Sequence, residues 1–414
     1  MNKYTLQDLN FDWNLKENFF IKISLLSFSV VATSFSEMGL VPIFFIILFT
    51  AFILHKKPSK SLWFFKNYPI EMHFLNIWII YAFFSGVFVS YSWENFFDGI
   101  NKTIFYILIC NLIVLTLLNN IKLIIYIIWG LFIGALLQVL AVKLNIGMEY
   151  VDRTGRAVGF GDNPNALGVK MVYGLLAIIF FMLKDKINIL KKVIYVLAAY
   201  LIIESIFFSG SRKALLASLI LLIFFFPLYL TRKTRKIKGQ HIVAGLFVIT
   251  IFVLLLKFYL PYFLEGTVVG DRIEMGADRG GVEGDIRYSM YEYGLQLFYE
   301  YPLFGVGFNN FRNYFYTGQY SHSDYIESLS CTGIIGFILY QAIYLIVLFR
   351  AIKIFFESID NRIRLYAAFV ILSILVIKIL GTGIILFYVP APLILFGLCS
   401  VLSLRLKTIN QFSY

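Results

Sequence analysis

Long, continuous runs of apolar residues recur along the whole chain, and they constrain its fold more than any other feature. Each run is long enough to cross the roughly 30 Å hydrocarbon core of a bilayer as an α-helix. The composition agrees, since 60% of the residues are hydrophobic and 14% are charged. The runs do not alternate with polar residues, which excludes a transmembrane β-barrel. The sequence therefore predicts an all-α integral membrane protein.

The apolar runs predict about 12 transmembrane helices in a single polytopic membrane domain that comprises residues 1–414. Their expected centres lie near residues 27, 46, 80, 110, 131, 174, 200, 220, 251, 338, 371 and 394. The connections are short except for residues 264–325, a long external loop that begins rich in glycine and charge. We expect this loop to act as a lid and to carry short amphipathic helices.

Basic residues are distributed unevenly between the two sets of predicted loops. The net charge is +12, and lysine-rich clusters such as 56–60, 184–192 and 232–238 fall in one set, together with both termini. By the positive-inside rule, this set and both termini are cytoplasmic. The external set keeps mainly arginines: Arg153, Arg156, Arg212, Lys213, Arg272, Arg279, Arg287 and Arg312. The basic excess is thus a signal of topology and argues against nucleic acid as a partner.

His322 lies in the stretch SHSDYIESLSCTGIIG, directly before a predicted buried helix. Ser321 and Asp324, or Asp324 and Glu327, have the spacing of a helix N-terminal capping box. The positive end of the helix dipole disfavours an imidazolium, so we expect a neutral His322 that can accept a proton. A neutral base among arginines suits transfer to a hydroxyl from a donor whose leaving group is a phosphate or diphosphate.

The second half of the long loop has an amphipathic pattern. Five of its residues recur at helical spacing: Tyr288, Tyr291, Leu295, Phe298 and Tyr299. The spacing predicts a helix over residues 287–301 that lies at the membrane surface and ends at Pro302. Its aromatic side chains either anchor the loop at the interface or form a surface on which sugars stack, and the two roles are compatible.

The sequence predicts no metal site and no cofactor. The three cysteines fall inside apolar runs, without the spacing of a zinc site or a disulfide framework. Three acidic residues of the long loop, Asp271, Glu274 and Asp278, are interleaved with glycines and arginines. Two ionisable residues, Glu204 and Lys378, lie inside predicted spans, and we expect them to pair with each other as a structural bridge.

Four stretches of the predicted external face resemble, in order, the motifs of the O-antigen ligase and Wzy-type polysaccharide polymerase superfamily. They are RTGRAVGFGDNPNALG, SGSRKALLASLI, RYSMYEYGLQLFYEYPLFGVGFNNF and SHSDYIESLSCTGIIG. The last fits the family's pattern of a histidine, then Asn, Ser or Gln, nine residues, and G-x-x-[GTY]. The first departs from the family in reading GFGDNPN. The similarity covers about residues 140–345.

The resemblance implies a GT-C-like membrane glycosyltransferase of a bacterial inner membrane, with its active site on the external face and no metal requirement. It assigns Arg212 and Arg287 to the diphosphate of an undecaprenyl-diphosphate-linked glycan donor, and His322 to the acceptor. Five more residues are expected to bind substrate: Arg156, Asn163, Ser211, Tyr291 and Ser323. The expected partners are that donor, a glycan or lipid-linked acceptor, the lipid bilayer and a chain-length regulator protein.

Two activities share this donor. A polymerase joins lipid-linked repeat units, whereas a ligase moves a finished chain to an acceptor such as lipid A–core. We favour the polymerase, although the acceptor groove decides between them. A transporter of the lipid-linked glycan is a third interpretation, but transporters usually show internal repeats and broken, charged helices at the membrane midplane. A scaffold without chemistry leaves His322 and the external arginines unexplained.

Overall fold

The protein is described in a computed structural model over residues 18–55, 68–146, 156–161, 163–183, 187–231, 286–381 and 390–411. These residues form helices and no β-strand. The helices are α1 (Phe19–Ser34), α2 (Val41–His55), α3 (Ile70–Val89), α4 (Trp93–Asn119), α5 (Ile124–Lys143), α6 (Pro164–Met182), α7 (Ile189–Ser209), α8 (Arg212–Thr231), α9 (Ile286–Glu300), α10 (Phe311–Tyr314), α11 (Asp324–Glu357), α12 (Asn361–Leu380) and α13 (Ala391–Gln411).

The prediction of an all-α membrane protein is confirmed. Within the described ranges, 9 helices are long and apolar enough to cross a membrane, and the shorter α1 and α2 are also apolar. The predicted centres fall inside these helices, except the one near residue 251, which lies outside the described residues. The first part of the long loop, with Arg272 and Arg279, also lies outside them. The total of twelve spans therefore stays a prediction.

Small residues let the central helices pack closely. A Cβ atom on Gly130 of α5 would lie 2.3 Å from the Cβ of Ser29 in α1, and one on Gly134 would lie 2.7 Å from that of Thr33. Such spacing of small residues is typical of helix pairs in membranes, where close contact replaces the hydrophobic effect as the driving force. Helix α6 packs against α5 in turn and is almost completely buried.

A buried ion pair fastens three helices near one end of the bundle. Arg350 of α11 donates from Nη1 and Nη2 to the two carboxylate oxygens of Glu71 in α3, at 2.8 and 2.6 Å. Ser400 of α13 donates to the same carboxylate at 2.7 Å. The Glu71 side chain is 0% exposed and that of Arg350 is 11% exposed. The pair is thus bidentate and satisfied, the condition under which a buried pair is tolerated.

Replacing Arg350 by methionine is expected to destabilise the protein by about 3–5 kcal/mol, because the Glu71 carboxylate loses its partner inside the bundle. Thermal unfolding in detergent should show a clear fall in Tm. The double variant Glu71→Gln/Arg350→Met should recover much of that loss. Lys353→Met is the control, because its ion pair to Glu357 is exposed and exposed pairs contribute little. A fall of the same size in the control would contradict the assignment.

The expectation that Glu204 pairs with Lys378 is wrong. Glu204 of α7 binds Lys143 at the end of α5, with 2.7 Å between Nζ and Oε1. Lys378 of α12 binds Asp324 at the start of α11, with 2.5 Å between Nζ and Oδ2. Both lysines lie in the last turn of their helices. Each carboxylate therefore pairs with the helix end that packs beside it, which spacing along the sequence does not reveal.

Contacts between helix ends and loops bring the motifs of the predicted external face to one end of the bundle. Arg156 links the first turn of α6, at Asn165, to the last residue of α7, Ser209. The start of α8 contacts the segment before α11 through Lys213 and His322. In the turn between α3 and α4, the amide of Ser92 donates to Oδ1 of Asn310, in the loop between α9 and α10, at 2.8 Å. All four resembling stretches thus have described residues at this end.

Candidate functional site

Helix α11 is broken at Gly333, which has φ 63° and ψ −171°. Only glycine adopts such a left-handed, extended backbone readily. The residues between Ser323 and Gly333 form a short first half, Asp324 to Thr332, and the second half runs from Ile334 to Glu357. The nine-residue spacing between the histidine–serine pair and the first glycine is therefore the length of the short half-helix.

The segment PLFGVG fills this break. The amides of Val306 and Gly307 donate to the carbonyls of Ser330 and Cys331 at 2.9 and 3.1 Å. In the other direction, the amide of Ile334 donates to the carbonyl of Pro302 at 2.8 Å. These bonds satisfy carbonyl and amide groups that a helix leaves open at its ends. Two of the resembling stretches, which are separate in sequence, thus form one structural unit.

The short half of α11 folds back toward the second half. In a straight helix, the Cα atoms of Asp324 and Tyr340 would be about 24 Å apart, at 1.5 Å per residue. Instead, the Tyr340 hydroxyl donates to Asp324 Oδ1 at 2.6 Å. The break at Gly333 therefore directs the start of α11, and His322 with it, back against the bundle.

His322 lies in a strained turn directly before the short half-helix. Its φ is 57°, a left-handed conformation that few residues other than glycine adopt. The N-cap of the helix is Ser323, whose Oγ accepts from the amide of Ile326 at 3.4 Å. Glu327 accepts from the amide of Ser321 at 2.8 Å. The predicted position of His322 just before a helix is confirmed. The N-cap is Ser323, so neither of the two predicted capping-box pairs forms the cap.

The start of α8 places a second cation beside the histidine. Lys213 Nζ donates to the carbonyl of His322 at 3.3 Å. The charges of Arg287 and Asp324 both lie within electrostatic range of Lys213. The neighbouring Arg212 begins α8 and is exposed. The structure thus brings the start of α8, the start of α9 and the His322 turn together, with Lys213 among them.

The first and second resembling stretches are fastened to each other by Arg156. Its Nε donates to the carbonyl of Ser209 at 2.9 Å, and its Nη2 donates to Asn165 Oδ1 at 3.0 Å. The amide of Ala157 donates to the carbonyl of Phe208 at 2.9 Å. Arg156 therefore braces the turn that precedes Arg212, and its predicted contact with substrate stays a prediction.

Three of the predicted binding residues have a structural role at helix starts. Asn163 caps α6, with its Oδ1 accepting from the amides of Asn165 and Ala166. Ser211 is buried and accepts from the amide of Ala214 at 3.4 Å. Ser323 caps the short half of α11. Their caps shape the backbone around the site, and direct contact with a substrate stays a prediction for each.

The predicted amphipathic helix of the long loop is confirmed as α9. It packs on a small second core, whose buried members are Met290, Leu297, Val306, Phe311, Phe315 and Cys331. Tyr291 lies at the edge of this core and is half-buried. A Cβ atom on Gly294 would lie 2.2 Å from the side chain of Ile326, so α9 rests directly on the short half of α11. The start of α9, with Arg287, is thereby held near the His322 turn.

Sequence reasoning missed three charged residues of this site: Lys213, Asp324 and Lys378. Lys213 follows Arg212, and Asp324 follows His322 by two residues, so their positions were a signal for both. Lys378 is an ionisable residue inside a distant apolar run, but that position does not place it beside His322. Among the described residues, no three His, Cys, Asp or Glu side chains converge as a possible metal site. The three cysteines are buried and free.

Comparison with known families gives one match. Residues 194–341 match the family model described as O-antigen ligase. The matched region contains most of α7, the described residues of α8, α9 and α10, the PLFGVG segment and the first part of α11. It therefore includes Arg212, Arg287 and His322, while Arg156 precedes it. No curated protein matches the chain.

Proposed function

Because residues 194–341 match the family model described as O-antigen ligase, we propose that the chain is a member of the O-antigen ligase and Wzy-type polymerase superfamily and polymerises a lipid-linked glycan. A function of the ligase or polymerase type, in a multi-pass bacterial membrane protein, follows from the family and the apolar helices. The finer proposal is a metal-independent, GT-C-like glycosyltransferase at the external face. Its donor is an undecaprenyl-diphosphate-linked oligosaccharide, and its product is a longer chain such as O-antigen or capsular polysaccharide.

One observation carries this proposal: Lys213 contacts the His322 carbonyl and lies within electrostatic range of Arg287. Cationic side chains from α8 and α9 therefore converge beside a histidine that precedes a helix. A diphosphate leaving group gains negative charge as its bond to the sugar breaks, and preorganised cations stabilise that charge. Arginine suits this task because its planar fork matches phosphate oxygens.

The proposed reaction moves one glycan per cycle. The hydroxyl of the acceptor sugar attacks the anomeric carbon of the donor, and the bond from that carbon to the diphosphate oxygen breaks. His322 accepts the hydroxyl proton, and Arg212 and Arg287 hold the departing undecaprenyl diphosphate. A neutral imidazole is suited to this step because it accepts a proton near neutral pH.

The ligase remains the alternative because it uses the same donor and leaving group. The exposed tyrosines of α9, including Tyr288 and Tyr299, offer aromatic faces near the site for a growing glycan. A surface suited to a glycan acceptor favours the polymerase, and a chain-length regulator protein is its expected partner.

Reconstitution in nanodiscs, with a defined undecaprenyl-diphosphate oligosaccharide and EDTA, is expected to yield a ladder of products. Mass spectrometry should show steps of one repeat unit, because each cycle adds one unit. Transfer only after lipid A–core is supplied would identify a ligase instead. Movement of the intact lipid across the bilayer, with no new glycosidic bond, would identify a transporter and refute the enzyme proposal.

Replacing Arg287 by alanine is expected to lower turnover by about 10²–10³-fold, the cost typical of losing one donor to a developing charge. Arg287→Lys keeps the charge but loses the bidentate fork, so an intermediate loss is expected. Lys353→Ala is the control, because this exposed lysine lies near the far end of α11. Donor consumption and product formation are measured together by mass spectrometry. An Arg287→Ala variant as active as the control would remove Arg287 from the site.

A further inference from the structure

Asp324 and Lys378 form a buried ion pair next to His322. Lys378 Nζ lies 2.5 Å from Asp324 Oδ2, and the two side chains are 13% and 0% exposed. The other carboxylate oxygen of Asp324 accepts from the Tyr340 hydroxyl at 2.6 Å. A buried charge is costly unless it is paired and hydrogen-bonded, so both partners are held to one geometry. The pair therefore ties α12 to the first residue of the short half-helix.

Three tyrosines of α11 surround the ammonium group of Lys378. Its Nζ lies 4.5 Å from the ring centroid of Tyr325, 4.6 Å from that of Tyr344 and 5.1 Å from that of Tyr340. Rings at these distances attract a cation through their electron-rich faces. Tyr325 belongs to the short half of α11, and the other two belong to the second half. Lys378 thus binds both halves of the broken helix.

The turn that bears His322 needs such support. A residue other than glycine in the left-handed region is strained, and the strain persists only where the surroundings hold the backbone. Lys213 holds the His322 carbonyl from α8, and Asp324, two residues later, is held from α12. Lys213 thus contacts the backbone of the turn, and Lys378 contacts the side chain of the first residue of the short half-helix.

We propose that Asp324 and Lys378 are positioning residues, which set the orientation of His322 toward the acceptor hydroxyl without touching the substrate. This role rests on the proposed function of His322. It predicts a loss of turnover with little change in donor affinity, because Arg212 and Arg287 reach the donor from other helices. Misplacement of a reacting group by about 1 Å can cost about 100-fold in rate.

The test uses four variants of the full-length protein in nanodiscs. Lys378→Met is expected to lower kcat about 100-fold. The donor KM should stay within about threefold of the wild-type value, because Arg212 and Arg287 bind the donor from other helices. Lys378→Arg, which keeps the charge, should retain most of kcat. Asp324→Asn/Lys378→Met removes the unpaired carboxylate, so it should fold well and still turn over slowly. Arg350→Met breaks the matched pair at the far end of α11, and in folded protein its kcat should equal that of the wild type.

Hydrogen–deuterium exchange provides a readout that does not depend on activity. Peptides covering residues 319–328 are expected to exchange faster in the two variants that carry Lys378→Met, but not in Lys378→Arg or Arg350→Met. Wild-type kcat in the double variant, equal losses of kcat in Arg350→Met, or unchanged exchange would each overturn the positioning role. A wild-type protein that transfers no glycan, yet shows the exchange effect, would refute the proposed function alone.

Discussion

His322→Gly is expected to lower glycan transfer by about 10²–10⁴-fold, the range typical of losing a general base. Glycine is the sharper substitution here because it adopts φ near 57° without strain, so the backbone of the turn is preserved while the imidazole is lost. The rate of product formation in nanodiscs is the measurement. We expect the affinity for the donor to change little, since the cations that face its diphosphate are intact.

His322→Ala should lose at least as much activity, because alanine adds backbone strain to the loss of the ring. His73→Ala is the matched control, since His73 lies in the first turn of α3 and contacts Tyr68. This variant should behave as the wild type. A His322→Gly variant with wild-type turnover would remove the histidine from the chemistry and leave the cations alone to carry the reaction.

Gly333→Ala is expected to prevent correct folding of the end of the bundle that contains the candidate site. A Cβ atom on Gly333 would lie 2.3 Å from the carbonyl oxygen of Leu303, which is backbone and cannot rotate away. The added methyl group would separate the PLFGVG segment from the broken helix and would break the bonds between them. We expect a loss of several kcal/mol, since unpaired buried backbone groups each cost about 1–3 kcal/mol. The measurement is the yield of monodisperse protein and its Tm.

Gly318→Ala is the control that separates the steric clash expected in Gly333→Ala from the strain of a left-handed backbone. Gly318 has φ 66°, close to that of Gly333, but a Cβ atom there would meet nothing within 4 Å. The strain of a left-handed alanine alone is about 1–2 kcal/mol, so this variant should fold with a modest fall in Tm. Equal behaviour of the two variants would show that conformation, and not contact with Leu303, explains the role of Gly333.

Local patterns of the sequence are sufficient to predict the membrane helices and to identify the segments of the candidate site. Helices α3 to α8 and α11 to α13 each contain a predicted centre, because an apolar run in lipid must satisfy its backbone hydrogen bonds within itself as a helix. The helix α9 was predicted from spacing alone and is observed at Ile286–Glu300. Arg212, Arg287 and His322 were identified from short motifs, whose order along the chain is itself a local property.

Contacts between distant segments could not be predicted from the sequence. The run from Asp324 to Glu357 has the pattern of one long helix, and glycine is common in membrane helices, so nothing local predicts a break at Gly333. The break exists because Pro302, Val306 and Gly307 supply hydrogen bonds across it. The partners of Lys213 and Lys378 are likewise set by which helix ends meet. The sequence alone thus determined the helices and the chemical groups at one end of the bundle. The tertiary structure alone decided how His322 is held, because the charges and backbone groups that hold its turn are far apart in the chain.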